Sequence, residues 1–380
     1  MLKAREAVRN LPAYESPIAG RKGLRLDLNE NTAGCSPKVL ARLREITAEE
    51  IGYYQEREPA EGMVAGHLGI ERSEVVLTNG VDEAIHLLCQ TFLDAGDEAL
   101  LVVPTFAMYE IMGAATGARV VTVPAGENFR LPFAELLARV SSRTRLIAIA
   151  NPNNPTGTVA EAEELLEIAR RAPDAAVLID EAYFEFYGKT VMGAWRAHEL
   201  ANLFVARTFS KAYGMAGLRA GVLTGHRGQM ALVRRVSSPF NVNAVALACL
   251  PAALGDAEHV ARYVQQVREG REGLRQELSR RGIHCWPSEA NFVLAKFGRL
   301  KDAFIQSMTA RGILVRDRGR DPGCEGCVRI TVGSAEHTQR LLAALAEVMT
   351  EIGAEILPES KGETVSGSRS GTGANEGTAK

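Results

Sequence analysis

Lys211 and Asp180 each follow an apolar segment of strand length. Lys211 stands among small and apolar residues just after residues 203–207, and Asp180 ends the apolar segment 175–179. Burial disfavours the ammonium form of a lysine and lowers its pKa, which frees the amine for Schiff-base chemistry. A buried carboxylate needs a partner. These residues therefore favour amine chemistry beside a buried negative charge, with a solvated rim lysine and a helix-capping aspartate as the ordinary alternatives.

Other polar residues follow further strand-like segments. TNGVD at 78–82 opens a helix, and NPNNPTG at 151–157 and TFSK at 208–211 each follow a strand candidate. In an open parallel sheet, ligands bind beyond the carboxyl ends of the strands. The free N–H groups of a helix start suit an anion, and Arg219 offers a bidentate guanidinium. The sequence therefore predicts one polar rim that includes an anion site.

Short β-branched segments alternate with amphipathic helical segments from about residue 75 to residue 225. Several of them are apolar throughout, which suits strands covered on both faces. The strand candidates are Val75–Thr78, Ala99–Val103, Arg119–Val123, Arg145–Ala150, Ala175–Asp180, Leu203–Arg207 and Arg219–Leu223. The alternation predicts an α/β domain with a mostly parallel sheet flanked by helices.

The pattern changes after Asn243. A long charged helix, Val260–Arg280, is followed by short strands and two more helices, which predicts a smaller α+β domain. We assign residues 1–35 to an N-terminal arm packing with the small domain, 36–255 to the large domain, and 256–356 to the long helix and small domain. Residues 357–380 are rich in Ser, Gly, Thr and Glu and are predicted to be a disordered tail.

The composition is that of a globular protein acting on small molecules. Of the 380 residues, 46% are hydrophobic and 24% charged, and the net charge of −2 favours neither nucleic acid nor a membrane as partner. No apolar signal segment opens the chain and the six cysteines have no disulfide-like spacing, so a cytoplasmic location is expected. Cys324 and Cys327 lack the further ligands of a metal site and are interpreted as an incidental loop pair; no metal is expected.

Three motifs together carry a family resemblance. NPNNPTG at 151–157, DEAY at 180–183 and SKAYGMAGLR at 210–219 resemble the class I/II, fold-type I aminotransferases, most closely the histidinol-phosphate aminotransferases. The likeness runs from about residue 26 to residue 352. It implies pyridoxal 5′-phosphate as cofactor, a homodimer with a shared active site, and conversion of L-histidinol phosphate and 2-oxoglutarate to imidazole acetol phosphate and L-glutamate.

The same resemblance leaves other activities open. An aromatic or broad-specificity aminotransferase and a phosphothreonine decarboxylase-like lyase would use the same cofactor residues. The reaction depends on which Cα bond stands perpendicular to the cofactor ring, and the sequence does not determine that geometry. A cofactor-sensing scaffold without catalysis is disfavoured, because Lys211 and Asp180 are both present.

The resemblance also implies roles for single residues. Lys211 carries the cofactor and later moves the substrate proton, while Asp180 keeps the ring nitrogen protonated. Asn154 and Tyr183 donate to the 3′-oxygen of the ring, although Asn154 also suits an ordinary turn. The remaining cofactor residues are Gly80, Val81, Asp82, Thr208, Ser210 and Arg219 at the phosphate, Phe106 on the ring face, and Tyr54 from the neighbouring subunit.

Several of these assignments have alternatives. Asp82 is expected to offer its backbone N–H, because its carboxylate would repel a phosphate. Phe106 also suits an ordinary core position. Gln55 stands where the family usually has proline, which leaves Tyr53 as an alternative to Tyr54.

Three residues are implied on the substrate side. Arg329, in VRITVG at 328–333, matches the arginine that binds the substrate carboxylate, for which a planar guanidinium is suited. Arg316 and Tyr14 occupy positions that line the substrate pocket in the family, with ordinary surface positions as the alternative for both. Arg318 and Arg320 lie nearby in sequence, and their orientation is left open.

Overall fold

The computed structural model describes residues 2–9, 11, 20 and 22–354. Tyr14 and the predicted tail, 357–380, lie outside them. The strands are β1 Leu24–Arg25, β2 Val75–Thr78, β3 Glu98–Val103, β4 Arg119–Pro124, β5 Thr144–Ala150, β6 Ala176–Asp180, β7 Leu203–Thr208, β8 Gly221–Gly225, β9 His284–Cys285, β10 Phe292–Lys296, β11 Ile313–Leu314, β12 Arg316–Asp317 and β13 Cys327–Thr331. The helices are α1 Glu6–Arg9, α2 Pro37–Arg44, α3 Ala48–Gly52, α4 Glu58–Leu68, α5 Gly80–Phe92, α6 Met108–Thr116, α7 Phe133–Arg139, α8 Ala162–Arg171, α9 Phe184–Tyr187, α10 Ala194–Ala197, α11 Arg227–Val236, α12 Ala244–Leu254, α13 Ala257–Arg280, α14 Lys301–Ala310 and α15 Ala335–Ala354.

A seven-stranded sheet with the order β2-β8-β7-β6-β5-β3-β4 forms the centre of the fold. Strands β7, β6, β5, β3 and β4 pair in parallel, while β8 runs antiparallel to both of its neighbours. Successive residues of β6 enter different hydrophobic clusters, with Leu178 on one side and Val177 and Ile179 on the other. Both faces of the sheet are therefore covered, and the predicted α/β fold with a mostly parallel sheet is confirmed.

The reversed strand β8 corrects one predicted boundary. A strand was expected to begin at Arg219, but β8 begins at Gly221. Arg219 has φ 55°, in the left-handed region, which is incompatible with an extended strand. Since β8 is antiparallel, its first residues lie beside the ends of β2 and β7, with Gly221 opposite both Thr78 and Thr208. The reversal therefore brings Arg219 to the same rim as the carboxyl ends of the parallel strands.

A second, antiparallel sheet has the order β12-β13-β10-β9. Residues of β10 and β13 share one hydrophobic cluster with residues of α13, α14 and α15. The N-terminal segment joins this part of the fold, since β1 pairs in parallel with β11 and the Leu26 carbonyl accepts a 2.9 Å hydrogen bond from the Thr331 N–H. Farther upstream, Arg5 donates to the Ala115 carbonyl at 2.6 Å, in α6 beside the large sheet. The arm thus contacts both parts of the fold.

Gly221 allows the close approach of β8 to the start of α5. A Cβ atom on Gly221 would lie 2.7 Å from the carbonyl carbon of Gly80, a backbone atom with little freedom to move. We expect Gly221→Ala to lower the free energy of unfolding by about 1–3 kcal/mol through overpacking. Gly66→Ala, at a helical position with open space around it, should instead raise it by about 0.5–1 kcal/mol. Denaturant unfolding of both variants measures this, and an unaltered Gly221→Ala variant would contradict it.

Candidate active site

A cavity of about 650 Å³ is lined by the rim of the large sheet, by residues 28–30 and by β12 and β13. It brings together most of the residues singled out in the sequence. Those expected at the cofactor are Val81, Asp82, Phe106, Asn154, Asp180, Tyr183, Thr208, Ser210, Lys211 and Arg219. Those expected at the substrate are Arg316 and Arg329. Residues more than 200 positions apart in the chain thus meet in one cavity.

Lys211 follows β7, lines the cavity and is partly buried. Its Nζ donates to the Leu28 carbonyl at 3.1 Å. Burial lowers the pKa of Lys211 to about 8, and the positive charge of Arg329 adds to the shift. About a tenth of the amine is therefore neutral at pH 7, against far less for an ordinary lysine, and the neutral amine is the form that attacks a carbonyl carbon.

Asp180 ends β6 and is 4% exposed. Its Oδ2 accepts a 2.5 Å hydrogen bond from the Tyr109 hydroxyl, and its Oδ1 accepts one from the Ala182 N–H at 3.0 Å. Burial raises the pKa of Asp180 to about 6, while these two hydrogen bonds oppose the rise. The alternative of a helix cap does not hold, because α9 begins only at Phe184 with Tyr183 as its cap. Asp180 instead presents a poorly solvated negative charge to the cavity.

Arg219 and the start of α5 form the end of the cavity suited to an anion. The Arg219 guanidinium donates to the Asp82 carboxylate at 2.9 Å, and both side chains line the cavity. Gly80 lies outside the lining, with φ 77° and next to the Arg219 guanidinium. The Asp82 carboxylate thus orients the arginine, which leaves the N–H groups at the helix start to face an anion.

Arg329 is held between two distant segments. It donates to the Asn154 side-chain oxygen and, at 2.7 Å, to the Asp27 carbonyl. Its Nε is buried without a hydrogen-bond partner. Burial lowers the pKa of Arg329 to about 10. The guanidinium remains charged and is suited to binding a carboxylate or phosphate in the cavity.

Two of the predicted residues that the structure describes do not line this cavity. Besides Gly80, Tyr54 is 81% exposed and stacks on Phe240, with the ring centroids 4.3 Å apart. Tyr14 lies outside the described residues. Phe106 lies both at the cavity and at the core, the two positions expected for it. It lines the cavity, and it also packs against the hydrophobic core and forms a T-shaped contact with the Tyr109 ring.

Two contacts at the site were not predicted from the sequence. Tyr109, which is fully buried, holds Asp180 from α6, and no motif marks it. Asn29 donates to the Tyr183 hydroxyl oxygen at 2.9 Å. Beyond its place in LNEN at 28–31, near the start of the family resemblance, no separate signal in the sequence marked it.

The cysteine pair lies outside the cavity. Cys324 and Cys327 are buried free thiols that pack with Trp286 and Leu294. Across the described part of the chain, no group of three or more His, Cys, Asp or Glu side chains is placed to hold a metal ion. No single helix among the described residues is long and apolar enough to cross a membrane; only α12 and α13 together, bent by 81°, have the length and composition.

Comparison with known proteins identifies the family. The profile described as "Aminotransferase class I and II" matches residues 21–348. The chain belongs to this family. The predicted aminotransferase is thereby confirmed.

Several individual relatives within this family are named histidinol-phosphate aminotransferases. The chain is 32% identical over 369 residues to a histidinol-phosphate aminotransferase of Geobacillus sp. (strain WCH70), covering 92% of this chain and 99% of the relative. It is 36% identical over 343 residues to that of Paracoccus denitrificans, covering 88% and 92%. The structure resembles the histidinol-phosphate aminotransferase of Sinorhizobium meliloti in complex with pyridoxal-5′-phosphate, with a TM-score of 0.85, 26% identity, and coverage of 93% and 99%.

The raised pKa of Asp180 predicts a pH-dependent cost to stability. Because this pKa is about 6 against an ordinary 3.8, the folded protein holds its proton more tightly than the unfolded chain does. Stability should therefore fall between about pH 4 and pH 6 and stay reduced above that range. In the cofactor-free protein at pH 7.5, we expect Asp180→Asn to raise the free energy of unfolding by on the order of 2 kcal/mol, with the gain vanishing near pH 4.

Denaturant unfolding at both pH values measures this effect. Asp174→Asn, at an exposed aspartate just before β6, provides the matched control and should show no such pH dependence. A gain from Asp180→Asn that is the same at both pH values would contradict the charge-based explanation.

Proposed function

We propose that this aminotransferase binds pyridoxal 5′-phosphate in the cavity and transfers an amino group from L-histidinol phosphate to 2-oxoglutarate. The products are imidazole acetol phosphate and L-glutamate. The observation that carries the proposal is the meeting of Lys211, Asp180 and Arg329 in one cavity of about 650 Å³. The names of the relatives supply the substrate. A cytoplasmic location remains part of the proposal.

The residues of the cavity fit the cofactor at three points. Asp180 is a buried carboxylate in need of a positive partner, which a protonated ring nitrogen provides. Lys211 offers an amine with a lowered pKa for the aldehyde. Arg219 and the start of α5 offer a guanidinium and backbone N–H groups for the phosphate. Bound there, the cofactor supplies an electron-withdrawing ring that takes up electrons when a bond at the substrate Cα breaks.

Lys211 and Asp180 have different roles in this chemistry. The Asp180 carboxylate, oriented by Tyr109, stabilises positive charge at the ring nitrogen. The Lys211 amine would hold the cofactor and, when free, would carry the proton from the substrate Cα. With a pKa of about 8, it exchanges a proton readily near neutral pH.

Asn154 and Tyr183 bind the ring oxygen in this proposal. The Tyr183 oxygen accepts from Asn29 and the Asn154 side-chain oxygen accepts from Arg329. Both acceptor atoms are thereby engaged, so that the hydroxyl and amide hydrogens are the groups to donate to a ligand. Thr208 and Ser210, which line the cavity with Arg219, would add hydroxyls at the phosphate, and Phe106 would pack against the ring.

Arg329 and Arg316 lie at the end of the cavity that we propose to bind the substrate, called the substrate end. They are directly opposite each other in the pairing of β12 with β13. Two guanidinium groups in register repel each other unless an anion lies between them, as a phosphate or carboxylate of the substrate would. This arrangement suits the phosphate of histidinol phosphate and equally the α-carboxylate of glutamate.

Amine transfer from glutamate to imidazole acetol phosphate and to phenylpyruvate, compared side by side, tests the substrate. We expect turnover of the phosphate ester, and visible absorption by the lysine-bound cofactor that Lys211→Ala abolishes. Lys189→Ala, at an exposed lysine, should retain both properties. Turnover of phenylpyruvate alone would overturn the histidinol-phosphate assignment. Release of carbon dioxide from L-threonine O-3-phosphate, added in a separate assay, would favour the lyase.

Tyr54 is proposed to act across a homodimer. Its exposed ring stacks on Phe240, which is itself 53% exposed, and Ile51 and Tyr53 are exposed beside it. Such a cluster of exposed apolar residues is typical of a protein interface. A partner subunit docked here would receive the Tyr54 hydroxyl at its own cofactor phosphate.

Mixing two variants, at a cofactor concentration too low to load Tyr54→Ala by itself, tests this shared site. If Tyr54 acts in the partner's cavity, Tyr54→Ala should lower cofactor affinity, and Tyr53→Ala should not. Co-refolding Tyr54→Ala with Lys211→Ala then yields mixed dimers with one intact site, and activity should recover to about a quarter of the parent value. Recovery would be absent if Tyr54 served only the cavity of its own chain.

A further inference from the structure

A third arginine, Arg318, lies on the same face as the pair that forms the substrate end. Side chains alternate along a strand, so Arg316 and Arg318 point to one side and Asp317 to the other. The contacts agree with this alternation, because both arginines line the cavity while Asp317 accepts a 2.6 Å hydrogen bond from Lys301 outside it. The Arg318 N–H donates to the Cys327 carbonyl at 3.1 Å and continues the pairing of β12 with β13.

The charges at this end of the cavity are unbalanced. Arg316, Arg318 and Arg329 carry three positive charges, and Asp321, which also lines the cavity, forms an ion pair with Arg318. These four side chains together carry a net charge of +2, and Glu30, which also lines the cavity, is paired with Arg25. The Nε atoms of Arg318 and Arg329 are both buried without a hydrogen-bond partner. Buried donors of this kind require an acceptor to offset the loss of water.

The size of the imbalance indicates the charge of the ligand. A phosphate monoester carries close to two negative charges at neutral pH, since its second pKa is about 6. It would neutralise the group completely, whereas a single carboxylate placed at this end of the cavity would leave one positive charge unbalanced. The side chain of Arg318 is 16% exposed and that of Asp321 25%, so water screens this imbalance only in part.

We infer that Arg318 is a specificity-determining residue, which makes the cavity favour a dianionic phosphate ester over a carboxylate. The inference rests on the proposed function and deepens it. Asp321 determines the net charge of this end of the cavity, because its carboxylate offsets one of the three arginine charges. Without Asp321, the site would hold monoanions more tightly and lose part of its discrimination.

The test compares Arg318→Gln with Arg320→Gln in the protein loaded with pyridoxal phosphate, so that the cofactor's own phosphate site is filled. Arg320 is exposed in the same loop and does not line the cavity, so it controls for the loss of one positive charge. Because the backbone of Arg318 is held by the strand pairing, the glutamine variant should fold.

The first measurement is the dissociation constant of inorganic phosphate at pH 8, from a phosphorus NMR titration. We expect Arg318→Gln to raise it about tenfold or more, as for the loss of a hydrogen bond between charged groups. Asp321→Asn should lower it, and Arg320→Gln should leave it unchanged. If Asp321→Asn weakens phosphate binding as Arg318→Gln does, the pair is structural and the inference fails.

The second measurement compares the KM for L-histidinol phosphate with kcat/KM for glutamate. Arg318→Gln should raise the KM for L-histidinol phosphate about tenfold and change kcat/KM for glutamate less than about threefold. Equal losses for both substrates would overturn the inference. If the parent protein does not use L-histidinol phosphate, the proposed function fails, and the phosphate titration still decides the role of Arg318.

Discussion

The carboxylate of Asp180 is buried at the end of β6, and much of the cavity can be understood from the cost of keeping it charged. Removal of a carboxylate from water costs about several kcal/mol even after relaxation. Tyr109 and the Ala182 N–H offset part of that cost. Burial also disfavours the charged form of Lys211. Because that form is the protonated one, burial lowers the pKa of the amine. Burial therefore brings the pKa values of both groups towards neutral pH, a perturbation that is typical of functional sites.

Much of the large sheet could be predicted because its strands are buried on both faces. Uninterrupted apolar segments such as β6 and β7 give a clear pattern, and their predicted ends fall within one residue of the structure. β8 was misplaced at its start because the left-handed conformation of Arg219 depends on tertiary contacts. α12 was not predicted, since it is apolar over most of its surface and contains Pro251, so no amphipathic period marks it.

The candidate site was predictable where one motif holds several of its residues. Lys211 and Arg219 fall in one segment with a recognisable spacing, and the cavity brings them together. Tyr109 escaped prediction because it reaches Asp180 from a helix 71 residues away, with no local signal. The orientation of Arg318 was left open because the alternation along β12 becomes informative only once the strand and its register are known.

The alternation along β12 also limits how this protein can change in evolution. Arg316 and Arg318 face the cavity because they are two residues apart, and Asp317 between them is held outside by Lys301. One inserted or deleted residue would turn this strand over, directing the aspartate into the cavity and both arginines away from it. Substitutions at the alternate positions leave the backbone pairing intact. New substrate preferences can therefore arise here through single substitutions, whereas changes of length in β12 would be eliminated by selection.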